Sequence, residues 1–437
     1  MLIFVFFLGL IFLGLPVSFS FVVAGIFYLL NFTTVSPNII ATTTFTGIDN
    51  FALLAIPFFI FAGDIMREGG ISKRLVSFAK LFFKNSMTAY GTICIVGCAF
   101  FGAISGSAVA AVAAIGGIMI PEMIRHRYKR EYAGSLASAA GYLGMLIPPS
   151  VPIVLYCITS GDSIGETFIA GVVPGLLAMV AQIIVNKIFL KKFTNTPEEL
   201  LAVEGIVEEP ASEQPHGKDL LKVLLEVIPG ILMPVIILGG IYAGIFTATE
   251  AAAVSIVYGT FVSVVLYKEI SLKDIPRVAV ESAKTAGKVL VIVAFASFFG
   301  RLLTLLRIPS MITTAVLGIS SSPTVIMLII ISLLFVFGMV MDMSVSIILL
   351  VPIIQPIMLQ LGLDPVHIAM IIVFALGIGL ITPPMVLNLF VGSQISKVPM
   401  SKMVRPIIPY VVASLLVLLL IVLVPQISTL LPSLLGY

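Results

Sequence analysis

Polar positions along this chain are sparse enough to act as punctuation between apolar runs. Runs long enough to cross a bilayer fall at roughly 2–30, 48–66, 134–160, 171–190, 223–246, 249–267, 283–300, 366–395 and 407–431. The first, Leu2–Leu30, has no basic n-region and no small-x-small cleavage site. It predicts a retained membrane helix with a possible interruption at Gly14-Leu15-Pro16, and not a signal peptide. One hydrophilic stretch breaks the pattern. Residues 193–221 carry Glu198, Glu199, Glu204, Glu208, Glu209, Glu213 and Asp219 with almost no apolar period, so a solvated flexible linker divides the chain near its middle.

Four further apolar pieces are too short to cross: Thr88–Phe101, Ala108–Ile120, Val325–Phe337 and Val345–Met358. At ~1.5 Å per residue each reaches about 20 Å, against a hydrocarbon core of about 30 Å. They come in pairs separated by G-A-I-S-G-S (102–107) and G-M-V-M-D-M-S (338–344). Each pair predicts a re-entrant helical hairpin with its tip near the midplane, the alternative being one long kinked helix.

The two pairs belong to an internal repeat. Gly63 matches Gly300, Gly102 matches Gly338, Pro121 matches Pro356, Pro148-Pro149 matches Pro383-Pro384 and Pro174 matches Pro409, all at nearly one offset. Charge sets the relative orientation. Arg67, Lys73, Arg74, Lys80 and Lys84 follow the run ending at Met66, where the partner loop has only Arg301 and Arg307. R-H-R-Y-K-R (125–130) follows the first pair, and Q-L-G-L-D follows the second. Asp162 and Glu166 lie beyond the first Pro-Pro run, whereas Lys397, Lys402 and Arg405 lie beyond the second. Equivalent loops with opposite bias lie on opposite sides of the membrane, so the repeats are inverted. Four crossings per half plus one extra at 223–246 satisfy the parity, and place the N-terminus and the linker in the cytoplasm.

Composition narrows the class. Of 437 residues 59% are hydrophobic and 10% charged, and the mean hydropathy is +1.20, which a soluble protein of this size cannot bury. Cys94, Cys98 and Cys157 all sit in apolar runs and imply helix packing, not a disulfide framework. The fold class is therefore an all-α polytopic membrane protein with two re-entrant helical hairpins and two broken helices. A channel would need a continuous polar lining, and the polar groups cluster at two points. An enzyme would need a base beside Ser105, and His126, His216 and His367 lie in the basic loop, the linker and near an outer edge. No G-x-x-x-x-G-K-[ST] is present to hold a nucleotide for a primary pump, and nothing points to nucleic acid.

Inverted repeats with paired hairpins predict a secondary transporter whose site lies between the halves. Backbone groups left open at the tips need a protein or ionic partner. Tip carbonyls with the Ser105 and Ser107 hydroxyls suit a small hard cation, and the second-arm N-termini near Ser107 and Ser344 suit an anion. The runs 144–152 and 379–388 each contain two adjacent prolines and predict broken helices with carbonyls free near Leu146–Ile147 and Ile381–Thr382, the alternative being a simple kink. Asp342 is the one carboxylate expected at midplane depth, and pairs on this reading with Na⁺ or a proton together with Thr382 and Asn388. A structural hydrogen bond is its alternative role. Asp64 with Arg67 reads as a local interfacial pair, and Glu250 after Thr247 as a helix cap.

F-A-G-D-I-M-R-E-G-G-I-S-K-R-L (61–75), G-A-I-S-G-S, I-P-P-S-V-P-I-V-L-Y and F-I-A-G-V-V-P-G-L-L together resemble the large membrane subunit of the tripartite ATP-independent periplasmic (TRAP) transporters, over essentially the whole chain. The resemblance implies a Na⁺-coupled importer of organic acids in the bacterial inner membrane. A periplasmic substrate-binding protein would feed it, and a small four-helix membrane subunit would pack beside it. It implies an elevator-type mechanism, with 87–170 and 323–400 moving, 1–84, 171–322 and 401–437 as scaffold, and the segments 69–84 and 303–320 as connecting arms. It also implies a Na⁺ set of Ser105, Ser107, Pro148, Gly338, Asp342 and Thr382. A carboxylate substrate, sialic acid first and otherwise a C4-dicarboxylate or sugar acid, would meet Ser105, Ser107, Ser150, Ser344 and Asn388. A stand-alone ion-coupled carrier or Na⁺/H⁺ exchanger without a binding protein is the other functional reading.

Overall fold

The computed structural model describes residues 2–83, 86–195, 218–319, 322–384 and 387–436. Most of the acidic linker, including Glu198 through Glu213, lies outside the described residues, as does Lys84. Among the described residues there is no strand, only one isolated bridge between Tyr128 and Thr194. Nine helices among the described residues are long and apolar enough to cross a membrane.

The chain opens with α1 (Leu2–Phe12) and α2 (Val17–Phe32), which fold back on each other. Phe6 stacks on Phe27 at 4.3 Å and Phe7 on Phe21 at 4.7 Å, so residues far apart in sequence lie side by side. Gly14 at φ +88° and Pro16, which cannot continue a helix, make the turn. Residues 2–30 are therefore a helical hairpin and not the single crossing expected. Leu2 and Phe32 line one groove at the same end, so the parity argument for a cytoplasmic N-terminus does not hold.

Helices α3 (Asn38–Thr46) and α4 (Ala55–Glu68) meet at a 58° bend. A short arm, α5 (Ile71–Phe82), follows. The first hairpin is α6 (Met87–Ser105) and α7 (Ala108–Arg125, with a π turn at Val112–Gly116). The first broken helix is α8 (Arg130–Leu146) and α9 (Val151–Ser160), bent by 42°. Helix α10 (Ile164–Phe189) closes the first half, and α11 (Lys218–Tyr242) leads into the second.

The second half repeats the order with α12 (Ala248–Leu266), a long α13 (Ile275–Leu305) and the arm α14 (Ile308–Ile319). Then come the second hairpin, α15 (Pro323–Val340) and α16 (Met343–Gln360), and the second broken helix, α17 (Pro365–Gly379) and α18 (Leu387–Ser396). The chain ends in α19 (Met400–Leu423) and α20 (Gln426–Leu434), two helices where the apolar run 407–431 had suggested one. Both Pro-Pro bonds are cis. Thr247 and Glu250 form the expected capping box at the start of α12.

The hairpin arms are longer than their apolar cores. Each is 18 or 19 residues, or about 27–29 Å, because the helices run on into polar flanks. Re-entrancy thus rests on packing and not on length. Each tip ends on the interior of a broken helix that continues beyond it.

The two broken helices run antiparallel along their length. Gly134 faces Ser396, Ser138 meets Asn388, Tyr142 packs edge-on against Phe374, and the Tyr156 hydroxyl reaches Pro365 O at 3.5 Å. As one residue number rises the other falls, which is the geometry of an inverted repeat. Two parallel repeats would have kept a constant offset. The sequence of α8, R-E-Y-A-G-S-L-A-S-A-A-G-Y-L-G-M-L, is rich in small residues that let backbones approach closely.

Two bodies emerge from the packing. Helices α1–α4 and α11–α13 pack together, with Phe298 and Phe299 of α13 wedged among Phe4, Phe7, Phe21 and Gly25. Arg67 pairs with Asp64 at 3.3 Å, and Ser282 of α13 donates to Asp64 at 2.7 Å, so the local pair also ties α4 to α13. The second body holds both hairpins and both broken helices. Helices α10, α19 and α20 pack against this body: Tyr132 bonds Tyr410 at 2.8 Å, Tyr142 bonds Ser414 at 3.0 Å and Gln182 bonds Ala139 O at 3.0 Å. The assignment of 171–190 and 401–437 to the scaffold therefore does not match their contacts.

Candidate functional site

The first junction forms where α6 ends. Gly106 takes φ +62° and its N–H donates to Gly102 O at 2.8 Å. That left-handed residue turns the chain so that Ser107 can cap α7, accepting from Ala110 N at 3.4 Å. The turn docks onto the Pro-Pro break. Val151 N donates to Gly106 O at 3.4 Å, and a Cβ on Gly106 would come within 3.0 Å of Pro149 O. Just above, a Cβ on Gly102 would lie 2.0 Å from Gly144 Cα. Glycine at both positions is what allows the hairpin to touch the broken helix backbone to backbone.

Ser105, Ser107, Pro148 and Ser150 are brought together at this junction. Ser150 caps α9, accepting from Ile153 N at 3.4 Å and donating to Met145 O. Ser105 is 3% exposed, packs its backbone against Gly63 of α4, and its hydroxyl has no hydrogen-bond partner. A buried hydroxyl left open at a helix end is a hard oxygen free to take a ligand.

The second junction has the same seat. A Cβ on Gly338 would meet Leu376 O at 2.7 Å, and one on Gly379 would meet Gly338 Cα at 2.5 Å. Asp342 stands at the position equivalent to Ser107 and caps α16 through Ser344 N at 2.9 Å. Thr382 donates to Ile378 O of its own helix at 2.8 Å. Asn388, 1% exposed, donates to Ser138 O at 3.2 Å, while the Ser138 hydroxyl donates to Asn388 O at 3.1 Å. The expected Asp342–Thr382–Asn388 cluster is thus not hydrogen-bonded together among the described residues. Each polar group meets a nearer need: a free helix N–H, an i−4 carbonyl, or the backbone of the opposite repeat.

Gly144, Gly379, Ser138 and the buried, unpartnered Ser346 belong to these junctions and were not singled out from the sequence. Gly144 and Gly379 carried a signal, since they open the two Pro-Pro runs at the repeat offset. Ser138 and Ser346 carried none, lying in helices whose faces the sequence leaves unassigned.

The chain matches the family model described as "Tripartite ATP-independent periplasmic transporter, DctM component" over residues 4–427. It is 35% identical to the sialic acid TRAP transporter large permease protein SiaM of Vibrio cholerae, over 98% of each chain. It is 36% identical to the C4-dicarboxylate TRAP transporter large permease protein DctM of Pseudomonas aeruginosa, covering 94% of this chain and 93% of the relative. Among solved structures, the YdaH transporter of Alcanivorax borkumensis superposes with a TM-score of 0.61 at 15% identity, over 90% of this chain and 88% of that one.

Proposed function

The chain belongs to the DctM-component family of tripartite ATP-independent periplasmic transporters, and from that premise we propose that it imports an organic acid across the bacterial cytoplasmic membrane, driven by Na⁺. It is a multi-pass transporter component and not an enzyme. The substrate is a carboxylate of the sialic acid, C4-dicarboxylate or related sugar-acid class. A periplasmic binding protein delivers it, and a small four-helix membrane subunit packs beside this chain.

One observation carries the reading: two glycine-seated hairpin tips, each docked on a Pro-Pro break, on broken helices that run antiparallel. Backbone groups of both signs left open at such tips would meet near the centre of one body. The unpartnered Ser105 hydroxyl fits a Na⁺ ligand, together with Ser107, Pro148, Gly338, Asp342 and Thr382. The N-termini of α7, α9, α16 and α18 fit a carboxylate, with Ser105, Ser107, Ser150, Ser344 and Asn388 as contacts. The moving body consists of the hairpins and broken helices with α10, α19 and α20 attached. It slides against α1–α4 and α11–α13, with α5 and α14 as arms.

The test is reconstitution in liposomes with the small subunit and binding protein. Uptake of labelled sialic acid or C4-dicarboxylate should require an inward Na⁺ gradient and no ATP. Uptake that persists without Na⁺ would refute the coupling. Uptake that needs no binding protein would favour a stand-alone carrier.

A further inference from the structure

An apolar groove of about 620 Å³ runs between α10 and α19, lined by residues such as Ile184, Val185, Phe189, Pro409, Val412 and Leu416, none of its lining side chains being polar. The two helices run antiparallel along it. The Tyr132 hydroxyl meets both Asn186 and Tyr410, and Gln182 and Ser414 both lie beside Tyr142. Each wall ends at a base. On α10 the stripe is 181, 184, 185 and 189, and in the 3-10 turn Leu190–Phe193 that follows it Lys192 sits with its ammonium 5.3 Å from the centre of the Phe189 ring. On α19 the stripe 416, 412, 409, 408 continues to Arg405. Both bases are exposed, and neither pairs with a carboxylate among the described residues.

We propose that this groove is a binding site for an anionic glycerophospholipid, with an acyl chain along the groove and the phosphate between Lys192 and Arg405. The dimensions agree. From Ile408 to Leu420 the groove rises about 18 Å, close to the depth of one leaflet, half of a core of about 30 Å. The charge agrees as well. Lys187, Lys191, Lys192, Lys397, Lys402 and Arg405 gather at this end, which marks the cytoplasmic leaflet, where acidic headgroups attract juxtamembrane bases. A neutral apolar partner would fill the groove but leave both bases unanswered. The proposal does not depend on which substrate is carried.

Native mass spectrometry of the detergent-purified protein, titrated with phosphatidylglycerol against phosphatidylethanolamine, tests it. The wild type should prefer phosphatidylglycerol, by about fivefold for each base involved. Lys192→Gln with Arg405→Gln should erase that preference, Lys192→Arg should keep it, and Val412→Trp should weaken both lipids by filling the groove. Equal wild-type affinity for the two lipids overturns the proposal. So does a preference that survives the double substitution. A photoreactive residue at position 416 should acquire the mass of a phospholipid in membranes. Capture of a polypeptide there, whether the small subunit or a second copy, also overturns it.

Discussion

The two hairpin tips share a seat and differ in nearly everything around it. Both press a glycine of the first arm onto a glycine just before a Pro-Pro break, Gly102 on Gly144 and Gly338 on Gly379. The caps then diverge, a Ser107 hydroxyl in one and an Asp342 carboxylate in the other. The turns diverge too. The first uses the left-handed Gly106, whereas Met341 and Asp342 are extended. Burial differs most. The apolar window of α6 is 72% buried, enclosed by α4, α5, α8 and α10, whereas that of α15 is 28% buried and leans mainly on α17 and α16. The shared seat is what the backbone requires of any hairpin docked on a broken helix. The differences show where the two halves have been free to specialise.

Substitution at the seats should have the largest effect. Gly102→Ala and Gly338→Ala put a Cβ into backbone that cannot step aside, and should destabilise by more than the about 1–3 kcal/mol usual for overpacking, read as lost folded yield and thermal stability in detergent. Gly300→Ala, inside α13 with open space around it, should not destabilise and should gain up to about 1 kcal/mol. Equal effects at all three would mean the seats do not hold the tips.

The caps sharpen the comparison next. Asparagine caps a helix about as well as aspartate, so Asp342→Asn should leave thermal stability nearly unchanged. Na⁺-driven uptake should still fall by more than about tenfold, or about 1.4 kcal/mol, if the carboxylate has a transport role. Full uptake in that variant would reduce Asp342 to a cap. Ser107→Ala should cost about 1 kcal/mol of stability through its lost cap.

Topology can be broken directly. Cysteines at 126 and 362, just after equivalent second arms, should label from opposite faces of the membrane with an impermeant maleimide; labelling from one face would refute the inversion. The smallest effect concerns the arms. Buried Cys94 and Cys98 of α6 should resist a permeant maleimide, whereas Ser332→Cys on the open side of α15 should react. Matching rates would erase the burial contrast.

Much of the fold was legible because membrane crossings are written in long apolar runs, and because Gly63, Gly102, Pro121, Pro148 and Pro174 recur at nearly one offset. The break at Pro148-Pro149 was one of two readings, a simple kink being the other, offered by the missing N–H donors and the restricted residue before them. Other elements were hidden for physical reasons. The run 2–30 carries an interruption signal at Gly14-Leu15-Pro16, but nothing in its pattern shows that the two pieces fold back and stack through Phe6–Phe27 and Phe7–Phe21. Arm lengths were underestimated because helices continue where hydropathy stops. The site was legible only as a set of candidates. Ser105, Ser107 and Ser150 sit together at one junction, but Asn388 bonds the backbone of Ser138 in the other repeat, a partner no local pattern reveals.

The head-to-tail bolt between Ser138 and Asn388 also has an evolutionary consequence. Two copies of one ancestral segment, mounted upside down relative to each other, present equivalent positions to opposite compartments. Selection from outside the cell therefore acts on one copy and selection from inside on the other. A substitution fixed in one copy need never be matched in its twin, and Ser107 opposite Asp342 is one such unmatched pair.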